Sequence, residues 1–348
     1  MISMSRAPTG SDAILLPDRS GETTPAIRGP SIALALGGGG ARGLAHIPML
    51  EAFDELGLKP RVIAGTSIGA VFGAAYASGL SAREIRAHTQ EILTLRFDLM
   101  RELFSARARG ANKLLGIFST RNALLDPLAL LDILMPSRVA RRFADLKIPL
   151  KLVTTNFYAQ EAVVITQGDL MPAIAASMAL PAIFQPVLYD GYAHVDGGLT
   201  NPLPFDLVAG NGDIVVAVDV SGTPTPSADR ALPTATEALF ASAFIWERSL
   251  IKEKLKSARP DIYIDAGTSH FQVLDFLKLP EILAAANPAK QRLKAKLELI
   301  LSSETVASEA TGVLQAVAAP QPLPPAKKKR RGILGRAPRL RRDKGKTG

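Results

Sequence analysis

With 348 residues, 47% of them hydrophobic and 21% charged, the chain holds enough apolar material for one large or two medium domains with a buried core, which excludes disorder throughout. Having no cysteine, it is denied disulfides, a thiolate nucleophile and a Cys-based zinc site, and it fits a reducing compartment. The formal charge of +9 is local: residues 326–348 hold eleven Lys and Arg against one acid, so the rest of the chain is close to neutral and gives no broad basic face for nucleic acid.

Residues 1–30 mix Pro, Gly, Ser and charges, with "AILL" as their one apolar run. That run is too short for a signal sequence, and the segment reads as a flexible leader to a cytoplasmic protein. From Ser31 short apolar runs alternate with helical stretches, the pattern of an α/β domain with a largely parallel sheet. "SIALAL" is a first strand and "ARGLAHIPMLEAFDELGL" a helix closed by Gly57. "RVIAG" is a second strand, followed by the small-residue helix "AVFGAAYASGL". After a helical, arginine-bearing section over about 83–143, further strands are predicted at "IPLKLVTTNF", "EAVVIT", "PVLYD", "YAHVD" and "DIVVAVDVS". Beyond Ser221 the chain turns Pro- and Thr-rich, then helical at "ATEALFASAFIWERSLIKEKLKSA", with a last strand "DIYIDA" and a helical region to about 318. The expected organisation is a leader (1–30), a catalytic core (31–221), an extension packed on it (222–318), and a Pro-rich hinge with a basic tail (319–348). Two uncharged stretches, 62–82 and 170–189, approach membrane-spanning length, but their Gly, Ser and Pro make insertion poor, so both read as buried soluble elements.

Three stretches carry chemistry. In "ALALGGGGARGLAHIPML", Gly38, Gly40 and Gly43 satisfy G-x-G-x-x-G between a strand and a helix, the placement of a dinucleotide fingerprint. That reading requires an acid at the end of the next strand, and none stands between Val62 and Ala82. A phosphate loop fails as well, because no Gly-Lys-Ser/Thr follows. What survives is a run of unobstructed backbone N–H groups at a helix start, facing an anion.

Gly65-Thr66-Ser67-Ile68-Gly69 says which anion. G-x-S-x-G between an apolar strand and a helix is a nucleophile elbow: the flanking glycines Gly65 and Gly69 let strand and helix approach while Ser67 is held exposed in a strained turn. The third stretch, Asp196-Gly197-Gly198, leaves a carboxylate where a strand runs into a glycine turn. Of the four histidines, His46, His88 and His270 read as surface or core residues. His194, two before Asp196 on one strand, is kept as an alternative base.

"GGGGARG", "GTSIG" and "DGG" in this order resemble the patatin-like phospholipase family. Echoes in "AASMALPAIFQPV" and "DGGLTNPLPFDLV" extend the resemblance over about 32–221, and more weakly over 261–300. The resemblance implies a three-layer α/β/α fold with a mainly parallel central sheet, and hydrolysis of lipid acyl esters without a metal or other cofactor. It implies Ser67 as nucleophile, Asp196 as its base in a dyad, and an oxyanion hole from the N–H groups of Gly38, Gly39 and Gly40, with Arg42, Gly43, Gly197 and Gly198 supporting the motifs. An aspartate with an unperturbed pKa near 3.9 is a weak base for a serine, so slow turnover and activity retained below pH 6 are expected. The alternatives are a general carboxylesterase or thioesterase, or a lipid-binding adaptor on the same fold.

Two expectations concern membranes. The basic tail 326–348, with Ile333, Leu334 and Leu340, is a candidate for docking on anionic lipid. "RFDLMRELFSARARGANKLLGIF", with Arg107, Arg109 and Lys113, reads either as a peripheral helical cover or as a basic lid.

Overall fold

The computed structural model describes residues 30–95, 124–222, 232–233 and 235–318. The leader, the arginine-bearing stretch with Arg107, Arg109 and Lys113 read as a helical cover or a lid, and the basic tail lie outside these residues. The chain divides into a compact unit, Met1–Val306, and a second unit, Ala307–Gly348, whose described residues, 307–318, are helical.

The first unit is built around one mixed sheet. Its strands are β1 (Ile32–Leu36), β2 (Val62–Thr66), β3 (Leu150–Asn156), β4 (Glu161–Ile165), β5 (Val187–Tyr189), β6 (Tyr192–Asp196), β7 (Ile214–Asp219) and β8 (Ile262–Asp265). They follow the spatial order β5-β6-β3-β2-β1-β7-β8, with β4 paired to β3. β3, β2, β1, β7 and β8 run parallel, whereas β4 and β6 pair antiparallel with β3, and β5 antiparallel with β6. β8 lies well beyond residue 221, so the C-terminal stretch contributes the far edge of the same sheet.

The helices are α1 (His46–Glu55), α2 (Ile68–Ala77), α3 (Ala82–Leu95), α4 (Pro127–Leu134), α5 (Leu170–Ser177), α6 (Ala235–Ser257) and α7 (Leu279–Ala318). Period-two alternation assigns them to two faces. Ile32, Leu34 and Leu36 of β1 pack on one side with α1, α2, α5 and the buried stripe Ile282, Leu283, Ala286, Ala289 and Leu293 of α7. Ala33 and Ala35 face the other side, against Leu203, Phe205, Val208 and Ile251 of α6. A strand covered on both faces has no need of polar alternation, which is why "SIALAL" is a continuous apolar run. The expected first helix begins later than its pattern suggests: Gly40–Ala45 form a 3₁₀ turn, and the α-helix starts only at His46. No described helix is long and apolar enough to cross a membrane.

Candidate active site

β2 ends at Thr66, and Ser67 follows with φ 56° and ψ −122°, a backbone that L-residues rarely adopt, before α2 begins at Ile68. The turn is this tight because Gly65 and Gly69 lack side chains. A Cβ on Gly65 would lie 2.6 Å from the Gly69 carbonyl oxygen, and one on Gly69 would run into the carbonyl of Leu36. The strain therefore comes with close packing of β1, β2 and α2, and it places Ser67 at the N-terminus of α2, where the helix dipole favours negative charge.

β3 brings the partner. Along one edge its residues 150–153 pair with β2, and further along its residues 154–156 pair with β6, while β4 occupies the opposite edge. Thr66 is thus in register with Val153 and Asp196 with Thr154, so the ends of two strands running in opposite directions meet on consecutive rungs. Ser67 Oγ donates to Asp196 Oδ2 at 2.6 Å, and Asp196 Oδ1 accepts the Gly198 N–H at 2.7 Å. Gly197 has to be bare, since a Cβ there would collide with the Val153 carbonyl.

Ser177, at the end of α5, completes the support. Its buried Oγ accepts the Ser67 N–H at 3.0 Å and donates to the Val153 carbonyl at 2.6 Å, fixing the elbow to β3. Ser177 lies within "AASMALP", but nothing in that string distinguishes its hydroxyl from an ordinary helix-end serine.

Asp196 is 2% exposed, and burial pushes its pKa up to about 6 against the opposing pull of the Ser67 and Gly198 hydrogen bonds. Desolvation, invisible in the sequence, thus makes this carboxylate more basic than an unperturbed aspartate.

The glycine loop divides its donors. The Gly38 N–H donates to the Pro202 carbonyl at 2.9 Å and is spent on the fold, so Gly38 drops out of the expected anion-facing set. The N–H groups of Gly39 and Gly40 have no acceptor among the described residues, and both residues line the cleft beside Ser67. Arg42 Nε donates to the Gly39 carbonyl at 3.2 Å while its guanidinium lies 4.7 Å from the centre of the Phe244 ring. In a trans peptide the N–H points opposite to the carbonyl, so this bond turns the Gly40 N–H away from Arg42. Gly40 itself sits at φ +60°, and a Cβ at Gly43 would overlap Ile68, which explains the remaining glycines of "GGGGARG".

The histidines stand elsewhere. His46 Nε2 donates to the Gly37 carbonyl at 2.9 Å, and complete burial holds the ring neutral, with its pKa down to about 4. His88 bonds the Leu134 carbonyl. His194 Nδ1 lies 3.3 Å from Thr154 Oγ1, and its bonds go to neither Ser67 nor Asp196. No group of three or more metal-ligating side chains is found among the described residues.

A cleft of about 840 Å³, partly open to solvent, leads away from Ser67 and Asp196. Its described walls are aliphatic and aromatic, from Leu93, α4 (Leu130, Leu131, Leu134), the 178–184 segment, Phe244, Val273, Leu274 and Phe276. The remaining polar wall residue is Glu247 of α6, which the sequence analysis passed over.

The sequence matches the model of the patatin-like phospholipase family over residues 34–209, half of the chain, and that span holds the glycine loop, the elbow and Asp196. The chain belongs to the patatin-like phospholipase family. Among the proteins it resembles, an uncharacterized NTE family protein of Mycobacterium tuberculosis is 36% identical over 208 residues, covering 60% of this chain and 54% of that one. Patatin-like phospholipase domain-containing protein 7 of Rattus norvegicus is 34% identical over 221 residues, covering 59% of this chain and 15% of the relative. The chain thus spans about half the length of the mycobacterial relative and a small part of the rat one. Among solved structures, VipD from Legionella pneumophila aligns at 15% identity with a TM-score of 0.40, over 76% of this chain and 66% of that one.

Proposed function

We propose that the protein is a serine hydrolase that cleaves fatty-acyl esters of lipids, such as phospholipids, lysophospholipids or neutral glycerides, through an acyl-enzyme on Ser67. The observation that carries the reading is the 2.6 Å bond from a strained Ser67 hydroxyl to a buried Asp196, at the head of an apolar cleft. As Ser67 Oγ attacks the ester carbonyl, Asp196 Oδ2 takes its proton, and the carbonyl oxygen becomes an anion facing the N–H groups of Gly39 and Gly40 of the glycine loop, close to the N-terminus of α2. One such donor is commonly worth 10²–10³ in rate, roughly 2.7–4 kcal/mol. Asp196 then returns the proton to the departing alcohol, and a water activated by the same carboxylate releases the acid. The cleft favours the acyl chain by about 0.8 kcal/mol for each methylene it removes from water.

The test is fatty-acid release from vesicles or micelles of phosphatidylcholine, lysophosphatidylcholine and monoacylglycerol by wild type and Ser67→Ala. Release from at least one substrate that disappears in Ser67→Ala supports the reading. Release unchanged in Ser67→Ala, or none from any ester by the folded protein, would oppose it.

A further inference from the structure

Glu247 lies on α6 between a half-exposed Trp246 and Arg248, yet it is itself 2% exposed and lines the catalytic end of the cleft. Among the cleft's described lining residues only Ser67, Asp196 and Glu247 have polar side chains, and the first two are bonded to each other. Glu247 has no ion pair among the described residues, and its Oε2 is buried with no hydrogen-bond partner there. The groups facing it are Asp196 from β6, Asp219 at the end of β7, and Arg42 of the glycine loop, whose Nε is committed to Gly39 and whose buried Nη2 has no partner among the described residues, no ion pair being formed with Glu247. Asp219 is paired with Arg248 at 3.0 Å, and Asp275 also acts on Arg42. Gly198 allows the approach of the two carboxyls: a Cβ there would overlap Glu247 Oε1 and lie 3.1 Å from Asp196 Oδ1.

We propose that Glu247 determines what the cleft accepts, its neutral acid admitting an acyl chain and its carboxylate rejecting one. This rests on the acyl-hydrolase reading above. A chain seated along the cleft replaces the solvent that fills it beside Glu247 with hydrocarbon, and the Oε2 already buried there has no described donor to offset the loss. Burying an unpaired carboxylate is costly, whereas burying the neutral acid is cheap. Chain binding and ionisation of Glu247 therefore oppose each other, and the linkage is reciprocal. Burial, helped by Asp196 and Asp219 and opposed by Arg42, lifts this carboxyl to about 8. The sign follows: below that pH the acid form is present and long chains bind, and above it the preference for a long chain falls by up to about tenfold per pH unit.

The experiment compares two fluorophosphonates that label the same serine, one with a dodecyl chain that fills the cleft and one with an ethyl group that does not. Labelling rates are measured from pH 6 to 10. In wild type the long-to-short rate ratio should be level up to about pH 8 and then fall, while in Glu247→Gln it should stay level throughout. A wild-type ratio level to pH 10, or an equal fall in folded Glu247→Gln, would overturn the proposal. Should the glutamine variant fail to fold, the wild-type curve decides alone. Labelling by neither probe would instead count against the hydrolase reading, so the two failures are distinguishable.

Discussion

Ser67 and Asp196 are 129 residues apart in the chain, and they meet because Thr66 and Asp196 occupy successive rungs, Val153 and Thr154, along one edge of β3. One strand pairs parallel and the other antiparallel, so both arrive at the same point with their C-terminal ends. The register of β3 thus sets the 2.6 Å contact, and Ser177 locks it by bridging the Ser67 N–H to the Val153 carbonyl.

Replacing Ser177 with Ala should therefore weaken the elbow without removing any reacting group. It leaves the Ser67 N–H without its acceptor, at a cost of about 1–3 kcal/mol in stability. Labelling of Ser67 should slow by roughly ten- to a hundredfold through misplacement of the hydroxyl. Thermal unfolding and fluorophosphonate kinetics on the same sample check both effects, and a variant equal to wild type in both would mean that the bridge is dispensable.

The pH dependence of turnover should have an acid limb with a midpoint near 6. Burial raises Asp196 to about that value, so the base is ionised above it and protonated below it. A histidine base would give a similar limb, and the shape alone does not discriminate. Asp196→Asn does: it should lower kcat by about 10²–10⁴-fold, whereas His194→Gln should preserve the limb.

Stability should fall with pH across the range in which Glu247 ionises. Its folded pKa is raised from 4.5 to about 8, so the folded state holds a proton that the unfolded chain releases, and the stabilisation is complete below 4.5 and lost as pH rises towards 8. Each pH unit within that window removes about 1.4 kcal/mol. Glu247→Gln should flatten this slope in unfolding midpoints measured from pH 6 to 8, above the range in which Asp196 contributes, and an unchanged slope there would show that Glu247 is not the group responsible.

The glycines of the loop should not be equivalent. At Gly38 the nearest atom to an added Cβ is the Cβ of Ser67 at 3.4 Å, an ordinary contact, and its N–H is already bound to Pro202. At Gly40 the same Cβ would lie 2.5 Å from the Val273 carbonyl on a left-handed backbone. Gly38→Ala should fold and keep measurable labelling at Ser67, while Gly40→Ala should lose stability and most of its activity. Equal losses in the two variants would contradict this division.

How much of this was legible in the sequence follows from which interactions are local. The elbow, the glycine loop and the turn after Asp196 are contiguous motifs, and each stands at the strand end where its pattern predicts it. The central strands β1, β2 and β7 were readable because full burial on both faces leaves uninterrupted apolar runs. The bond between Gly38 and Pro202, the Ser177 bridge and the elevated basicity of Asp196 all depend on partners more than a hundred residues away or on exclusion of water, and no local pattern encodes them. Glu247 was concealed by an inversion: α6 exposes Ile245 and Trp246 and buries the acid beside them, the reverse of what amphipathic reading assumes.

The most direct test of the central claim is intact-mass detection of a fluorophosphonate adduct on wild type, Ser67→Ala and Asp196→Asn. A single adduct on wild type that is absent from Ser67→Ala and strongly slowed in Asp196→Asn is the expected result. An adduct that persists in Ser67→Ala, or that forms on Asp196→Asn at the wild-type rate, would contradict the Ser67–Asp196 dyad.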